Sequence, residues 1–154
     1  MLTKKDKEFS PSRLSLVLVA TQFLFIALLM FVGPLWPTHW GLRGMIVCSG
    51  VLAIWAFLSM GLGNIRAFPE IPEHGRLVVH GPYRWVRHPM YSSLLLLTLA
   101  WMLDQPFPFR MVLWVGLVVT LWIKLGYEEH LLLARFPSYG EYRMRTKRLI
   151  PFLF

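Results

Sequence analysis

Four apolar runs separated by more polar segments dominate the chain, and this pattern restricts what it can fold into. The first run has 22 consecutive residues without a charge, which is enough for a helix to cross a hydrocarbon layer of ~30 Å. The third run would form a helix of only about 22 Å, short for a full crossing. The runs cover residues 14–35, 44–62, 89–103 and 107–125. They predict an all-α, polytopic membrane protein with about four transmembrane helices.

Composition supports a membrane protein over a soluble one. Hydrophobic residues make up 56% of the chain and charged residues only 16%, whereas a soluble domain carries about a quarter charged residues. The length predicts a single domain, residues 1–154. A cleaved signal peptide is the competing interpretation of the first run, but that run is too long and no small-x-small cleavage site follows it.

The distribution of lysine and arginine predicts the orientation in the membrane. Fourteen of the sixteen basic residues lie in the N-terminal tail, the second loop and the C-terminal segment, and two lie in the other loops. The positive-inside rule then places both termini in the cytoplasm, with residues 1–13 as a cytoplasmic tail, and we expect a prokaryotic plasma (inner) membrane. The same rule accounts for the net charge of +8, and no basic face interleaved with stacking aromatics indicates a nucleic-acid partner.

Two polar clusters bracket the last two apolar runs. The first covers residues 81–91 and the second covers residues 127–130. The proline-rich segment 104–108 predicts a tight turn, so the two runs should form a C-terminal antiparallel hairpin. Both clusters would then lie on the cytoplasmic face and form a cofactor pocket there. The fourth helix should continue to Arg135, and a short basic surface helix is expected over residues 138–147.

The first cluster contains the pattern Arg87-His88-Pro89-x-Tyr91. Proline is well tolerated in the first turn of a helix, so Arg87 and His88 would stand at its N-terminal mouth. Free backbone N–H groups there favour an anion, and an arginine can bind a carboxylate through two hydrogen bonds. The alternatives are an interfacial arginine, a packing histidine and, for the tyrosines, an aromatic belt at the membrane interface.

The second cluster contains two adjacent carboxylates, Glu128 and Glu129. Neighbouring residues on a helix point about 100° apart, so one carboxylate can face a cavity while the other pairs with a cation. A surface ion pair between Lys124 and Glu128, which are i and i+4 neighbours, is the alternative.

Metal and dinucleotide signals are weak. The spacing of His74, His80 and His88 matches no chelating pattern, so we predict no metal site. The pair Gly61 and Gly63 lacks the third glycine and the preceding strand of a dinucleotide-binding motif, so no Rossmann fold is expected.

The ordered set of motifs resembles the isoprenylcysteine carboxyl methyltransferase family and its wider relatives, the phospholipid N-methyltransferases. The resemblance covers residues 60–151. It departs from the family at Ser93, where glycine is usual, and at Lys124, where arginine is common. The matching residues are Gly63-Asn64, Pro69-x-x-Pro72, Leu77-Val78-x-x-Gly81-Pro82-Tyr83, Arg87-His88-Pro89-x-Tyr91, Glu128-Glu129-x-x-Leu132, Phe136, Tyr142 and Pro151.

The resemblance implies an enzyme that uses S-adenosyl-L-methionine as methyl donor and acts on a lipophilic acceptor in the bilayer. By position, catalysis would fall to Arg87, His88 and Glu128, and Lys124 would bind the acceptor. The implied cofactor-binding residues are Leu77, Val78, Gly81, Tyr83, His88, Pro89, Tyr91, Glu128 and Glu129.

Several alternatives stay open at this point. The acceptor could be a carboxylate of isoprenylcysteine type, or the amine of a phospholipid or small molecule. A non-enzymatic membrane subunit that retains the fold and a membrane reductase using a nicotinamide cofactor are the rival classes. The sequence leaves the oligomeric state open.

Overall fold

The computed structural model describes residues 11–61, 68–70 and 75–151. This part of the chain contains five α-helices, one 3₁₀ turn and no strand beyond an isolated bridge. The helices are α1 (Arg13–Phe31), α2 (Trp40–Met60), α3 (Pro89–Asp104), α4 (Pro108–Arg135) and α5 (Tyr139–Arg145), and the 3₁₀ turn is Gly81–Arg84. The prediction of an all-α polytopic membrane protein is confirmed. Most of the predicted tail, together with Gly63, Asn64, Pro72 and His74, lies outside the described residues.

Three helices, α1, α2 and α4, are long and apolar enough to cross a membrane. Ser12 caps the first of them, because its hydroxyl accepts the backbone N–H of Ser15 at 3.1 Å. Helix α3 has only 16 residues, in agreement with the short third run of the sequence. Large apolar side chains stand exposed on the outer faces, where lipid would cover them, as in Phe31 (89% exposed) and Leu58 (71%).

The helices pack in two main pairs, α2 with α3 and α1 with α4. A small core of buried side chains from α1, α3 and α4 joins the pairs. Gly116 lets α1 approach α4 closely, because a Cβ at this position would lie 2.5 Å from the Phe25 ring. The core consists of Leu29, Trp101, Leu113, Leu117 and Leu121.

The tight turn between α3 and α4 confirms the predicted C-terminal hairpin. Pro108 starts α4 at the first helical position, where its missing N–H is harmless. Asp104 Oδ1 accepts hydrogen bonds from the backbone N–H of Thr38 at 2.8 Å and from its hydroxyl at 3.0 Å. The mouth of α3 and the last turns of α4 therefore lie at the same end of the bundle.

The segment after α5 returns to the mouth of α3. The backbone N–H of Arg87 donates to Lys147 O at 2.8 Å, and that of Lys147 donates to Trp85 O at 3.0 Å. A parallel bridge between Val86 and Lys147 results. The bridge holds the C-terminal segment, including α5, against the end of the bundle that carries both polar clusters.

Candidate active site

The 3₁₀ turn sets the path of the chain into α3. Gly81 has φ +61°, a conformation that other residues rarely adopt, and a Cβ there would collide with the side chain of Ser59 on α2. The turn buries Tyr83, whose backbone carbonyl accepts the hydroxyl of Tyr142 at 2.6 Å. Glycine is required at this position, and the close contact fixes the turn against the end of α2.

A cavity of about 470 Å³ opens between the mouth of α3, the C-terminal part of α4 and α1. One end of it is polar and the other is apolar. The polar end includes Tyr83, Arg87, His88, Tyr91 and Glu128. The apolar end, further into the bundle, includes Phe23, Ile26 and Leu94.

Three side chains at the mouth of α3 and on α4 form a connected polar wall. The Tyr91 hydroxyl donates to Glu128 Oε1 at 2.5 Å, and His88 Nδ1 lies 3.5 Å from Glu128 Oε2. The rings of His88 and Tyr91 stack with centroids 5.6 Å apart and an interplanar angle of 11°. Glu128 is thus held from two directions while it faces the cavity.

Glu129 points to the other side of α4 and does not line this cavity. Its carboxylate lies 2.6 Å from Arg87 Nε and 3.1 Å from Arg148 Nη2, and it is only 2% exposed. His88 Nε2 approaches it at 3.6 Å. The two carboxylates therefore divide as the helical geometry predicts, one toward the cavity and one into an ion-pair network.

Arg87 joins the C-terminal segment to the site. Its Nε binds Glu129, and its Nη1 donates to the backbone carbonyls of Thr146 and Arg143, the latter at 3.1 Å. Much of its hydrogen-bonding capacity is therefore engaged within the protein. A role as ligand of a cofactor carboxylate stays a prediction, and the observed contacts favour a positioning role.

The surroundings of the polar end change its acid–base properties. Burial alone would lower the pKa of His88, but the carboxylates of Glu128 and Glu129, 3.5 and 3.6 Å from its ring nitrogens, raise that pKa above its usual value. Burial raises the pKa of Tyr83 well above its ordinary range and that of Tyr142 to about 12. Both tyrosines therefore stay neutral.

Lys124 is almost fully buried in the cavity wall, at 2% exposure. Its ammonium donates to Gln22 Oε1 at 2.8 Å and lies 5.4 Å from the centre of the Tyr91 ring. A buried cation at the junction of the polar and apolar ends would attract an anionic group.

Most of the predicted site residues meet around this cavity. Gly81, Pro89 and Glu129 do not line it, although Gly81 shapes the turn and Pro89 starts α3. The predicted residues that line it are Leu77, Val78, Tyr83, Arg87, His88, Tyr91, Lys124 and Glu128. Their roles toward a cofactor or acceptor stay predictions. Among the described residues, no group of three His, Cys, Asp or Glu side chains is placed to hold a metal ion.

Several residues of the site lie outside the motifs of the sequence. Gln22, a polar residue inside an apolar run, carries a signal that could have been used, since such residues mark functional positions in membrane helices. Tyr139 and Arg148 gave no comparable signal, because only the return of the C-terminal segment brings them to the mouth of α3.

The fold and the site define an all-helical membrane protein with a cavity at one end of its bundle, polar on one side and apolar on the other. The chain belongs to the phospholipid methyltransferase family, whose profile matches residues 37–139. The match begins earlier than the predicted residue 60 and ends before residue 151. The family resemblance drawn from the motifs is confirmed.

A protein-S-isoprenylcysteine O-methyltransferase B of Arabidopsis thaliana is similar to the chain. The two sequences are 30% identical over 130 residues, which cover 77% of this chain and 61% of the relative. The chain thus spans about 61% of the length of the relative it matches.

Proposed function

We propose that the protein is an integral-membrane methyltransferase that uses S-adenosyl-L-methionine and methylates a lipophilic acceptor, best described as a carboxylate of isoprenylcysteine type. One observation carries this proposal. Glu128, Tyr91 and His88 converge on the polar end of a cavity whose other end is apolar. One cavity thus offers a polar site for a charged cofactor beside an apolar site for a lipid chain.

The residues of the polar end suit this cofactor. The cavity volume of about 470 Å³ lies in the range of ~300–1,000 Å³ usual for ligand pockets. Glu128 could accept hydrogen bonds from an ammonium or from ribose hydroxyls, and the buried Tyr83 hydroxyl has no hydrogen-bond partner among the described residues. The Tyr91 ring could face a sulfonium. When bound, the cofactor would supply an electrophilic methyl group.

The charges around the cavity favour an acceptor that is already ionised. An amine acceptor must lose a proton before it attacks, whereas a carboxylate acceptor is already ionised and needs no base. Lys124 would repel an ammonium and attract a carboxylate. The main contribution of Lys124 to catalysis would therefore be to position the acceptor carboxylate where the polar and apolar ends of the cavity meet.

The apolar end supports entry of the acceptor from the bilayer. Phe23 lines the cavity and is also 55% exposed on the outer face of α1. The cavity wall therefore reaches a surface that lipid would cover. We place the polar end and both termini on the cytoplasmic side, because most of the basic residues lie at that end. The membrane itself stays a prediction, the prokaryotic plasma (inner) membrane.

Titration calorimetry in detergent with S-adenosylhomocysteine, the demethylated cofactor, tests the cofactor assignment. We expect wild-type protein to bind it and Glu128→Gln to bind at least tenfold more weakly, since a hydrogen bond to a charged group contributes about 1.5–3 kcal/mol. Glu141→Gln, a change on the exposed surface of α5, is the matched control and should bind like wild type. Absent binding by folded wild-type protein would contradict the proposal.

A second experiment identifies the acceptor class. The protein is incubated with a tritiated methyl donor and either a farnesylcysteine analogue or a native lipid extract. Base-labile label on the analogue is the expected result, because a methyl ester is hydrolysed by base. Base-stable label on a lipid amine would instead favour a phospholipid N-methyltransferase.

A further inference from the structure

A second cavity, of about 480 Å³, lies on the C-terminal segment beside the candidate active site. Five of its seven lining residues are cationic, and Arg87 lines both cavities. The residues around it are Arg87, Arg143, Met144, Arg145, Thr146, Lys147 and Arg148. We refer to it as the basic cavity.

The positive charge of the basic cavity is only partly compensated. Glu129 is the carboxylate that its arginines contact, with Arg87 and Arg148 close and Arg143 Nε at 4.0 Å. Arg145 and Lys147 are both exposed, and within the described part of the chain neither forms an ion pair. The cavity therefore carries several unneutralised positive charges and would favour an anion.

Aromatic and apolar neighbours indicate that the basic cavity lies near the lipid headgroups. The Arg148 guanidinium lies 5.3 Å from the centre of the Trp122 ring, and Trp122 is 41% exposed on a membrane-spanning helix. Tryptophan is typical of the membrane–water interface. Met144 (82% exposed) and Ile150 (52%) add apolar surface to the same segment. A soluble anion would not require such surroundings.

We propose that the basic cavity binds the phosphate of an anionic membrane lipid. Arginine matches phosphate oxygens with paired hydrogen bonds, and lysine adds a point charge. Basic segments next to a membrane span attract anionic lipids by about 1 kcal/mol for each lysine or arginine near the surface. The lipid would be a bound component of the protein and distinct from the methyl acceptor, so this proposal does not depend on the proposed activity.

Binding of such a lipid would also brace the candidate active site. Arg87 forms part of the wall between the two cavities, and its Nη1 binds carbonyl groups of the segment that carries Arg143 and Thr146. A phosphate that holds this segment in place would keep Arg87 and Glu129 in their observed pairing. We therefore expect the lipid to raise the melting temperature of the protein.

Calorimetry in detergent with a short-chain phosphatidylglycerol tests the proposal, and each variant is first checked for folding by its melting curve. The double variant R145Q/K147Q should bind the lipid about thirtyfold more weakly, since two contributions of about 1 kcal/mol are lost. R145Q alone should bind about fivefold more weakly. Its matched control R43Q removes one charge at the opposite end of the bundle and should bind like wild type.

Two further ligands distinguish the possible sources of the anion. Short-chain phosphatidylcholine should neither bind nor raise the melting temperature, and inorganic phosphate should do so only at far higher concentration than the lipid. Equal binding of phosphatidylglycerol by wild type and R145Q/K147Q would overturn the proposal. Equal binding of phosphatidylcholine, or of inorganic phosphate at the same concentration, would overturn the assignment to an anionic lipid.

Discussion

Buried charged side chains have different surroundings at the two ends of the helical bundle. At the site end, Glu129 is surrounded by cations and the neighbouring Glu128 faces a cavity. At the opposite end, Arg110 is fully buried against Gly33, and none of its guanidinium nitrogens has a hydrogen-bond partner among the described residues. Its charge is enclosed by packing, and neither cavity described above reaches it.

This difference indicates that the site end is built to bind a ligand, whereas the opposite end only holds the helices together. At the opposite end short segments join consecutive helices, and Asp104 at the end of α3 accepts a hydrogen bond from Thr38 in the segment between α1 and α2. The site end instead assembles three separate segments of the chain, residues 81–91, 124–132 and 139–149. Substitutions at the site end should change both stability and ligand affinity, whereas those at the opposite end should change stability alone.

The largest effect is expected for Glu129→Ala. This change leaves Arg87 buried without its carboxylate, and removing one partner of a buried ion pair destabilises a protein by about 3–5 kcal/mol. Thermal melting in detergent should show a large decrease for this variant. The control Glu141→Ala, on an exposed surface, should change stability by less than about 0.5 kcal/mol. Equal melting of both variants would contradict the network described at the site end.

The split between Glu128 and Glu129 shows how far sequence reasoning reached. The 100° step between neighbouring helix positions predicted that the two carboxylates diverge, and the proline-rich turn predicted that they meet the mouth of α3. Both follow from local rules. The pairing of Trp85 and Arg87 with Lys147 does not, because a backbone contact across about sixty residues leaves no periodic pattern in the sequence.

Two glycines, one at each end, give a matched comparison of intermediate size. Gly81→Ala forces a residue into a positive φ and against Ser59, and Gly33→Ala places a Cβ 2.8 Å from Arg110 Nη1. Gly81→Ala should cost about 1–3 kcal/mol of stability, and Gly33→Ala should cost less, because the guanidinium that its Cβ would meet is the end of a long side chain. Only Gly81→Ala should also weaken binding of S-adenosylhomocysteine, because it displaces the turn that carries Tyr83. Weaker binding by Gly33→Ala would contradict the separation of the two ends.

A smaller effect is expected from single hydrogen bonds. Tyr142→Phe removes the bond from its hydroxyl to the Tyr83 carbonyl and should cost about 1 kcal/mol. Thr38→Val removes the exposed hydroxyl bond to Asp104 but keeps the backbone bond, so it should cost less. Melting curves of the two variants show which of them loses more stability. A larger loss of stability for Thr38→Val than for Tyr142→Phe would contradict this order.

The smallest effect concerns pH. The pKa of His88 is raised in the folded protein, so its contribution to stability is fully present below its ordinary value of about 6.5. That contribution is lost as the pH rises from there through the raised pKa. Wild-type protein should therefore lose stability over this range relative to His88→Gln, as measured by melting at a series of pH values. A constant difference between the two proteins would contradict the pairing of His88 with the carboxylates.

An experimental structure with bound S-adenosylhomocysteine would show whether the cofactor occupies the polar end of the cavity. We expect density for the ligand between Glu128, Tyr91 and His88, with the apolar end toward α1 left for the acceptor. Ligand density elsewhere on the protein, or a Glu128 carboxylate turned away from the ligand into lipid, would contradict this placement.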